Sequence, residues 1–324
     1  MEDDRGQVPE ADRQHARSRL LKVLDGSPTI RELVAHGKLI VGEAYYETST
    51  GKVHWLNFWT SANPDARVPT GLLRAIVHGR LDSSFELEGL HPGLKSLNAL
   101  VLGNQVFTKQ FELPVPTEVV IFGCADSRVG SLVLKTPHGL VEWIHSAGNV
   151  VDPRMLRSLR VATEAAVRNV ERANDVARSV NPNEDLQHHR AVLVALSHSR
   201  CGAAGATLQH LCGHAPHSDA PDPAAPVVNS IAHRFQEYLI KNPNYRKTDE
   251  FLVQAAEANA VGACMEMLGG PGEDAAALNR LVQEDRLIVV PAWYLLTSGV
   301  IQMMPPLGAE AAMRLASPAL AGNE

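Results

Sequence analysis

Short apolar runs interrupt an otherwise mixed chain. EVVIFGC (118–124) and AVLVALSH (191–198) are apolar at nearly every position, and LVEWIHSAGN (140–149) is a third run ending in a glycine turn. Runs this short and this rich in β-branched residues predict strands buried on both faces, as in a parallel sheet. The segments between them carry a helical period. Asp152 and Pro153 form an N-cap and first-turn pair opening a helix over about 153–178, with Leu156, Leu159, Ala162, Val167 and Val170 near helical spacing. CGAAGA after the third strand opens another helix, and helices follow over about 227–241 and 247–268. Strands alternating with helices predict an α/β fold: a mostly parallel β-sheet flanked by helices and covered on both faces. The ligand site of such a sheet lies at the carboxyl ends of its strands.

The amino-terminal part adds two features. Residues 1–28 are charged and rich in helix formers, and read as a helical arm docking on a partner subunit or as a frayed terminus. Residues 29–60 read as a helix followed by a hairpin, with LIVGEAYY (39–46) and KVHWLNFW (52–59) flanking a turn at ETSTG. This unit resembles 277–303. At a shift of 248 positions, Leu33, Val34, Leu39, Ile40, Val41, Ala44, Tyr46 and Gly51 fall on Leu281, Val282, Leu287, Ile288, Val289, Ala292, Tyr294 and Gly299. An ungapped match of this kind points to a repeated supersecondary unit. The division that follows is an arm (1–28), an accessory helix-hairpin unit (29–60), a catalytic domain (61–303) and a loose tail (304–324). Within it, 96–111 reads as helical, and 181–190 and 214–226 read as polar or Pro-rich loops.

Composition narrows the function classes. The 324 residues are 45% hydrophobic and 20% charged, which fits a globular chain of about two domains, or one large domain with extensions. Thirty Lys and Arg against 36 Asp and Glu give a net charge of −6. That argues against nucleic acid, which requires clustered cations. No apolar run approaches the roughly 18 residues of a membrane span. The polar amino terminus lacks the apolar core of a signal peptide, so the expected compartment is the cytoplasm. Four cysteines in a chain this long favour metal or catalytic use over a disulfide scaffold.

Two clusters carry chemistry. Cys124-Ala125-Asp126-Ser127-Arg128 follows the strand 118–123, and His198-Ser199-Arg200-Cys201 ends the strand 191–197. Adjacent strands lie about 4.8 Å apart, so two such ends can converge on one ion. Two thiolates and an imidazole suit Zn²⁺, and three protein ligands leave a fourth position open for catalysis. Asp126 has two readings: it ligates the metal, or it pairs with Arg128 and aims a hydrogen bond at the nucleophile.

VVIFGCADSRV (119–129), AGNVV (147–151) and LSHSRCGA (196–203) resemble the motifs of β-class carbonic anhydrases, and the resemblance runs over about 97–303. It implies Cys124, His198 and Cys201 as zinc ligands, Asp126 and Arg128 as a catalytic dyad, and Asp126 as a possible fourth ligand in a closed state. It implies reversible hydration of CO₂ to bicarbonate and a proton by zinc-bound hydroxide. It also implies a homodimer or higher homo-oligomer, its cleft near the interface; the net charge already speaks against a nucleic acid partner. Departures from the family pattern are His145-Ser146 before Ala-Gly-Asn, Ser197 where a glycine often precedes the ligand histidine, and the lack of a clear glutamine near 113–117. His145 reads as a proton-transfer group or as a satisfied polar core residue. The same motifs allow hydrolysis of CS₂ or COS on this scaffold, or a non-catalytic zinc-binding relative.

Other clusters read more plainly. His210, Cys212, His214 and His217 fall in a Pro-rich context that suits a surface loop better than a second metal site. Cys264 reads as a small core hydrophobe. GGPGED (269–274) lacks the Gly-Lys-Ser/Thr of a phosphate cradle. Trp55, Phe58 and Trp59 suit hairpin packing.

Overall fold

The computed structural model describes residues 8–36, 38–59, 100, 104, 106, 108, 115–134, 136, 139–180, 189–213, 224–241 and 249–307. The sequence expectations for most of 60–114, for 181–188, for 214–223 and for 308–324 lie outside the described residues. The chain forms two compact units, Met1–Leu113 and Pro114–Glu324.

The first unit contains helix α1 (Glu10–Gly26), helix α2 (Pro28–Ala35) and an antiparallel hairpin of β1 (Val41–Glu47) and β2 (Lys52–Trp59). Ser27 starts α2 by accepting a hydrogen bond from the Ile30 amide, and Pro28 occupies the first helical turn. Helix α1 packs on β1 and α2 and buries Leu20. Asn104 closes the hairpin from outside: it accepts from the Val53 amide and donates to Gly51 O.

The second unit is built on a five-stranded sheet in the order β4-β3-β5-β6-β7. Its strands are β3 (Val119–Cys124), β4 (Val141–Ser146), β5 (Ala191–His198), β6 (Leu287–Leu295) and β7 (Val300–Met303). All neighbours are parallel except β6 and β7. Two of the apolar runs of the sequence are thus the inner strands β3 and β5, the third forms the edge strand β4, and the fold is the expected mostly parallel sheet with helices. Helices α3 (Pro153–Val180), α4 (Gly202–Leu211), α5 (Ala225–Lys241), α6 (Asp249–Gly269) and α7 (Glu273–Gln283) complete the unit.

Helix α3 begins where its cap predicts. Asp152 Oδ1 accepts from the amides of Arg154 and Met155, satisfying two of the donors that a helix start leaves open. Its stripe of Leu156, Leu159, Ala166, Val167 and Val170 packs with Val120, Phe122, Leu193, Ala195 and Val289, and α6 and α7 close the same core with Met267 and Leu278. The opposite sheet face gathers Ile121, Val194, Leu196 and Ala292 with Val129 and half-buried Trp143 and Tyr294. Residues 304–307 continue along β6 through hydrogen bonds from Met304 N to Pro291 O and Leu307 N to Val289 O. Among the described residues, no helix is long and apolar enough to cross a membrane.

The two helix-hairpin segments share their hydrogen bonds at the same shift of 248. Lys38 N donates to Leu33 O at 2.8 Å, and Arg286 N to Leu281 O at 3.0 Å. Gly51 N donates to Glu47 O, and Gly299 N to Leu295 O, both at 2.9 Å. Lys52 N reaches Thr50 Oγ1, and Val300 N reaches Ser298 Oγ, both at 3.4 Å. Both turn glycines are left-handed, at φ 69° and 75°, a conformation glycine adopts without steric cost. The segments differ in setting. β6 has β5 on its other edge, whereas β1 belongs to a two-stranded sheet among the described residues.

Candidate metal centre

The strand order places a switch point between β3 and β5. From β3 the chain moves to β4 on one side, then returns to β5 on the other. Crevices at such points, beyond the carboxyl ends of the strands, are the usual ligand sites of open α/β sheets. The paired register ends at Gly123↔Leu196, and the strands part beyond it. Cys124 is the last residue of β3, His198 the last of β5, and Cys201 immediately precedes α4. Arg200, at φ 56°, turns the chain back between the latter two.

All three residues are buried, and their ligand atoms lie within 4.8 Å of one another. The Cys124 and Cys201 sulfurs are 3.9 Å apart, and both cysteines are free. Two sulfurs on a tetrahedral Zn²⁺ at about 2.3 Å each would be separated by roughly 3.8 Å. His198 is the second test of fit. Its Nδ1 lies 2.9 Å from Ser199 O, an acceptor that requires the proton on Nδ1 and so, in the neutral ring that binds a metal, puts the lone pair on Nε2. Nε2 is buried with no hydrogen-bond partner, which is costly for a polar atom unless a donor or cation meets it. Thiolate sulfur and imidazole nitrogen form a zinc set, not one for Mg²⁺ or Ca²⁺.

Electrostatics favour sulfur anions here. The Cys124 thiol is pushed well down, chiefly because Cys201 donates to it, with further help from His198 and the Asp126 amide. The same bond and burial push Cys201 up, against a smaller opposing pull from the Ala203 and Ala204 amides at the start of α4. The pair therefore holds its first negative charge easily and its second only with a cation beside it.

Asp126 sits at the mouth. Its Oδ1 accepts from the Arg128 amide at 3.0 Å and from Arg128 Nε at 2.8 Å, and its Oδ2 accepts from Nη2 at 2.6 Å. This forked pair holds the carboxyl well below the usual carboxylate range. Of the two sequence readings, the structure shows Asp126 paired with Arg128, with Oδ2 3.9 Å from His198 Nε2.

The sequence model of the family described as carbonic anhydrase matches residues 119–301. The chain belongs to the carbonic anhydrase family. This agrees with the resemblance carried by the motifs around Cys124, Gly148 and His198, and the donor set fits the zinc that the resemblance implies. No curated protein matches the chain. Among solved structures it is similar to a tetrameric beta-carbonic anhydrase of the filamentous ascomycete Sordaria macrospora, at 16% identity over 67% of this chain and 97% of that one, with a TM-score of 0.43. It is similar to the Coccomyxa beta-carbonic anhydrase in complex with acetazolamide at 18% identity, over 72% and 92%, with a TM-score of 0.43. A beta-carbonic anhydrase of Aspergillus fumigatus gives 18% identity, over 70% and 95%, with the same score.

The remaining candidates fall elsewhere in this carbonic anhydrase fold. His145 is exposed, not core: it stacks on Trp143 at 5.5 Å between ring centroids, with Nδ1 3.0 Å from Cys124 O. Cys264 is buried in the helical layer, and burial pushes its thiol up to about 12. Cys212 caps the end of α4, His210 lies in that helix's last turn, and His214 and His217 lie outside the described residues. Gly272, at φ 107°, starts α7 in place of any phosphate cradle. Trp55 is half-buried in β2, while the side chains of Phe58 and Trp59 are outside the described set.

Sequence reasoning missed the residues behind the centre. Ser199 fixes the histidine through a backbone carbonyl, which no side-chain motif reports. Asn149, Arg234 and Asn259 are buried polar residues. A signal existed for Arg234, a charged residue inside the apolar stripe of Ile231, Phe235 and Tyr238.

Proposed function

We propose that the chain catalyses the reversible hydration of CO₂ to bicarbonate and a proton, with Cys124, His198 and Cys201 holding Zn²⁺ and Asp126 and Arg128 acting as the catalytic pair. One observation carries this reading. A buried imidazole nitrogen with no hydrogen-bond partner and two sulfurs converge within 4.8 Å beneath a carboxylate locked to an arginine. A purely structural zinc site has no need of that pair.

Bound zinc supplies a Lewis acid that brings the pKa of water to about 7. The chain's own residues do the rest. Cys124 and Cys201 supply negative charge, and His198, anchored by Ser199 O, fixes the third direction. Arg128 keeps Asp126 ionised and oriented, so that a carboxylate oxygen accepts a hydrogen bond from the attacking oxygen and turns that oxygen's remaining lone pair toward the CO₂ carbon. When bicarbonate leaves and water enters, the same oxygen is placed to receive a proton in transit to solvent.

We assign the catalytic domain to 61–303, with 1–28 as an arm, 29–60 as an accessory unit and 304–324 as a tail. The resemblance favours a homodimer or larger homo-oligomer, and light scattering should give at least twice 35.1 kDa. Stopped-flow CO₂ hydration, with Asp126→Ala as control, tests the activity. Zinc-loaded protein inactive on CO₂ from about pH 7 to 9, yet hydrolysing CS₂ or COS or doing neither, overturns it.

A further inference from the structure

One turn lies behind all three candidate ligands. It spans Ala147–Asn149, and Gly148 and Asn149 are both left-handed, at φ 62° and 58°. The buried Asn149 side chain enters the crevice where β3 and β5 part. Its Nδ2 donates to Phe122 O and to Leu196 O, both at 3.1 Å. Those carbonyls lie two residues before Cys124 and two before His198. On its other side the turn presses on α4: a Cβ on Gly148 would lie 2.7 Å from Ala203 Cβ, two residues after Cys201. The turn therefore touches the backbone that carries each ligand.

Two buried side chains fix the turn by its carbonyls. Arg234 Nη2 on α5 donates to Asn149 O at 3.1 Å, and Asn259 Nδ2 on α6 donates to Gly148 O at 3.2 Å. Asn259 Nδ2 also reaches Ser197 Oγ at 3.3 Å, one residue before His198, and its Oδ1 accepts from Arg234 Nη1 at 2.8 Å. The Arg234 charge is balanced by Glu266, whose two oxygens accept from Nε and Nη2. Gly262 leaves room for the arginine stem, since a Cβ there would meet Arg234 Cγ at 2.6 Å. None of these groups touches a candidate ligand directly, and Arg234 and Asn259 are themselves buried while Glu266 is partly exposed. Their bonds converge on one turn and on Ser197.

We propose that Arg234 and Asn259 are positioning residues of the metal centre. Through the Gly148–Asn149 turn they set the spacing of Cys124, His198 and Cys201. This rests on the metal reading above, and it adds residues on two helices that touch neither metal nor substrate. Groups that orient ligands at one remove typically alter metal affinity about 10–100-fold when removed, whereas a purely structural role alters only folding.

The test uses the full chain, stripped of metal under reducing conditions and titrated with zinc against a chromophoric chelator. Co²⁺ absorption is read in parallel. Asn259→Ala removes the bonds to Gly148 O and Ser197 Oγ while leaving Arg234 paired with Glu266. Gly262→Ala displaces the arginine instead, and it carries the test should Asn259→Ala not fold. Leu278→Ala, a cavity in the helical layer remote from the turn, is the control for lost stability alone. The expected result is zinc affinity weakened about 10-fold or more in Asn259→Ala and Gly262→Ala, with altered Co²⁺ bands, and wild-type affinity and bands in Leu278→Ala despite its lower Tm. Wild-type affinity and spectrum in the Asn259 and Gly262 variants, or an equal affinity loss in Leu278→Ala, overturns the proposal while leaving the metal reading intact. A wild-type chain that takes up no zinc overturns both.

Discussion

Oδ2 of Asp126 lies 3.9 Å from Nε2 of His198. Because His198 Nδ1 is committed to Ser199 O, the facing nitrogen of a neutral ring presents a lone pair, and the carboxylate oxygen presents another. Two acceptors directed at one another in a pocket with a buried floor repel unless a donor or a cation lies between them. The Cys124 and Cys201 sulfurs stand on the same side of that gap. The arrangement is thus an electron-rich cup with a fixed carboxylate at its rim.

Removing one sulfur tests the cup directly. Cys201→Ser exchanges a soft thiolate for a hydroxyl that stays protonated at neutral pH. The variant should retain less than about a tenth of a zinc equivalent after dialysis, because a borderline-soft ion loses both charge and bond strength. Atomic absorption on the purified variant checks this, and a full equivalent would refute the ligand assignment.

Asp126→Ala should keep its zinc and lose CO₂ hydration by roughly 100-fold or more, the usual scale for a positioned proton-transfer group. Arg128→Leu should retain part of the activity, since the carboxylate survives without its orientation. Stability of the metal-free chain adds a pH signature. The Asp126 carboxyl is held below its unfolded value by Arg128, so the folded chain binds fewer protons there. The contribution of the pair is fully present above about pH 4, the unfolded value, and fades as pH falls through the folded one. The urea midpoint of wild type should exceed that of Asp126→Asn at pH 7, with a smaller difference at pH 3. A difference that grows toward acid would contradict the pairing.

Gly148→Ala should be damaging for two separable reasons. The left-handed backbone costs a non-glycine residue about 1–2 kcal/mol, and the new methyl would lie 2.7 Å from Ala203 Cβ with Val227 and Ile231 close behind. Gly213→Ala shares the left-handed backbone at φ 71° but meets nothing within 4 Å. Calorimetry should show the larger fall in Tm for Gly148→Ala, and equal falls would mean that the turn relaxes away from α4 at no cost.

The difference between what the sequence made legible and what it did not has a physical basis. β3 and β5 were legible because strands buried on both faces are apolar at successive positions, and Asp152-Pro153 was legible because capping is local. Cys124, His198 and Cys201 stood out as sulfur and imidazole at predicted strand ends, so topology alone could bring them together. The bond between Asp126 and Arg128 spans two residues and was open to either reading. The Arg234–Asn259–Asn149 arrangement spans more than a hundred residues. Asn149 and Asn259 alone are unremarkable polar residues, Arg234 stands out only as a charge in an apolar stripe, and only the fold shows that their bonds meet. The exposure of His145 was missed for a related reason: β4 is an edge strand, and edge position depends on strand order, which a local pattern does not encode.

The repeated helix-hairpin permits a paired measurement. Gly51 and Gly299 occupy matching turn positions, with φ values of 69° and 75° and amide bonds of 2.9 Å to Glu47 O and Leu295 O. An alanine at either site must adopt the left-handed region, so each substitution should cost its own hairpin about 1–2 kcal/mol. The costs should agree within roughly 0.5 kcal/mol, because additivity holds to that level for independent sites and the local bonds are the same. Hydrogen exchange separates them. Gly51→Ala should speed exchange of the β1–β2 amides and leave β6–β7 at wild-type rates, and Gly299→Ala should do the reverse, with the loss confined to the β6–β7 pairing because β6 remains held by β5 on its other edge. Unequal costs differing by more than about 1 kcal/mol would mean that the two turns, despite their shared bonds, are held by different surroundings.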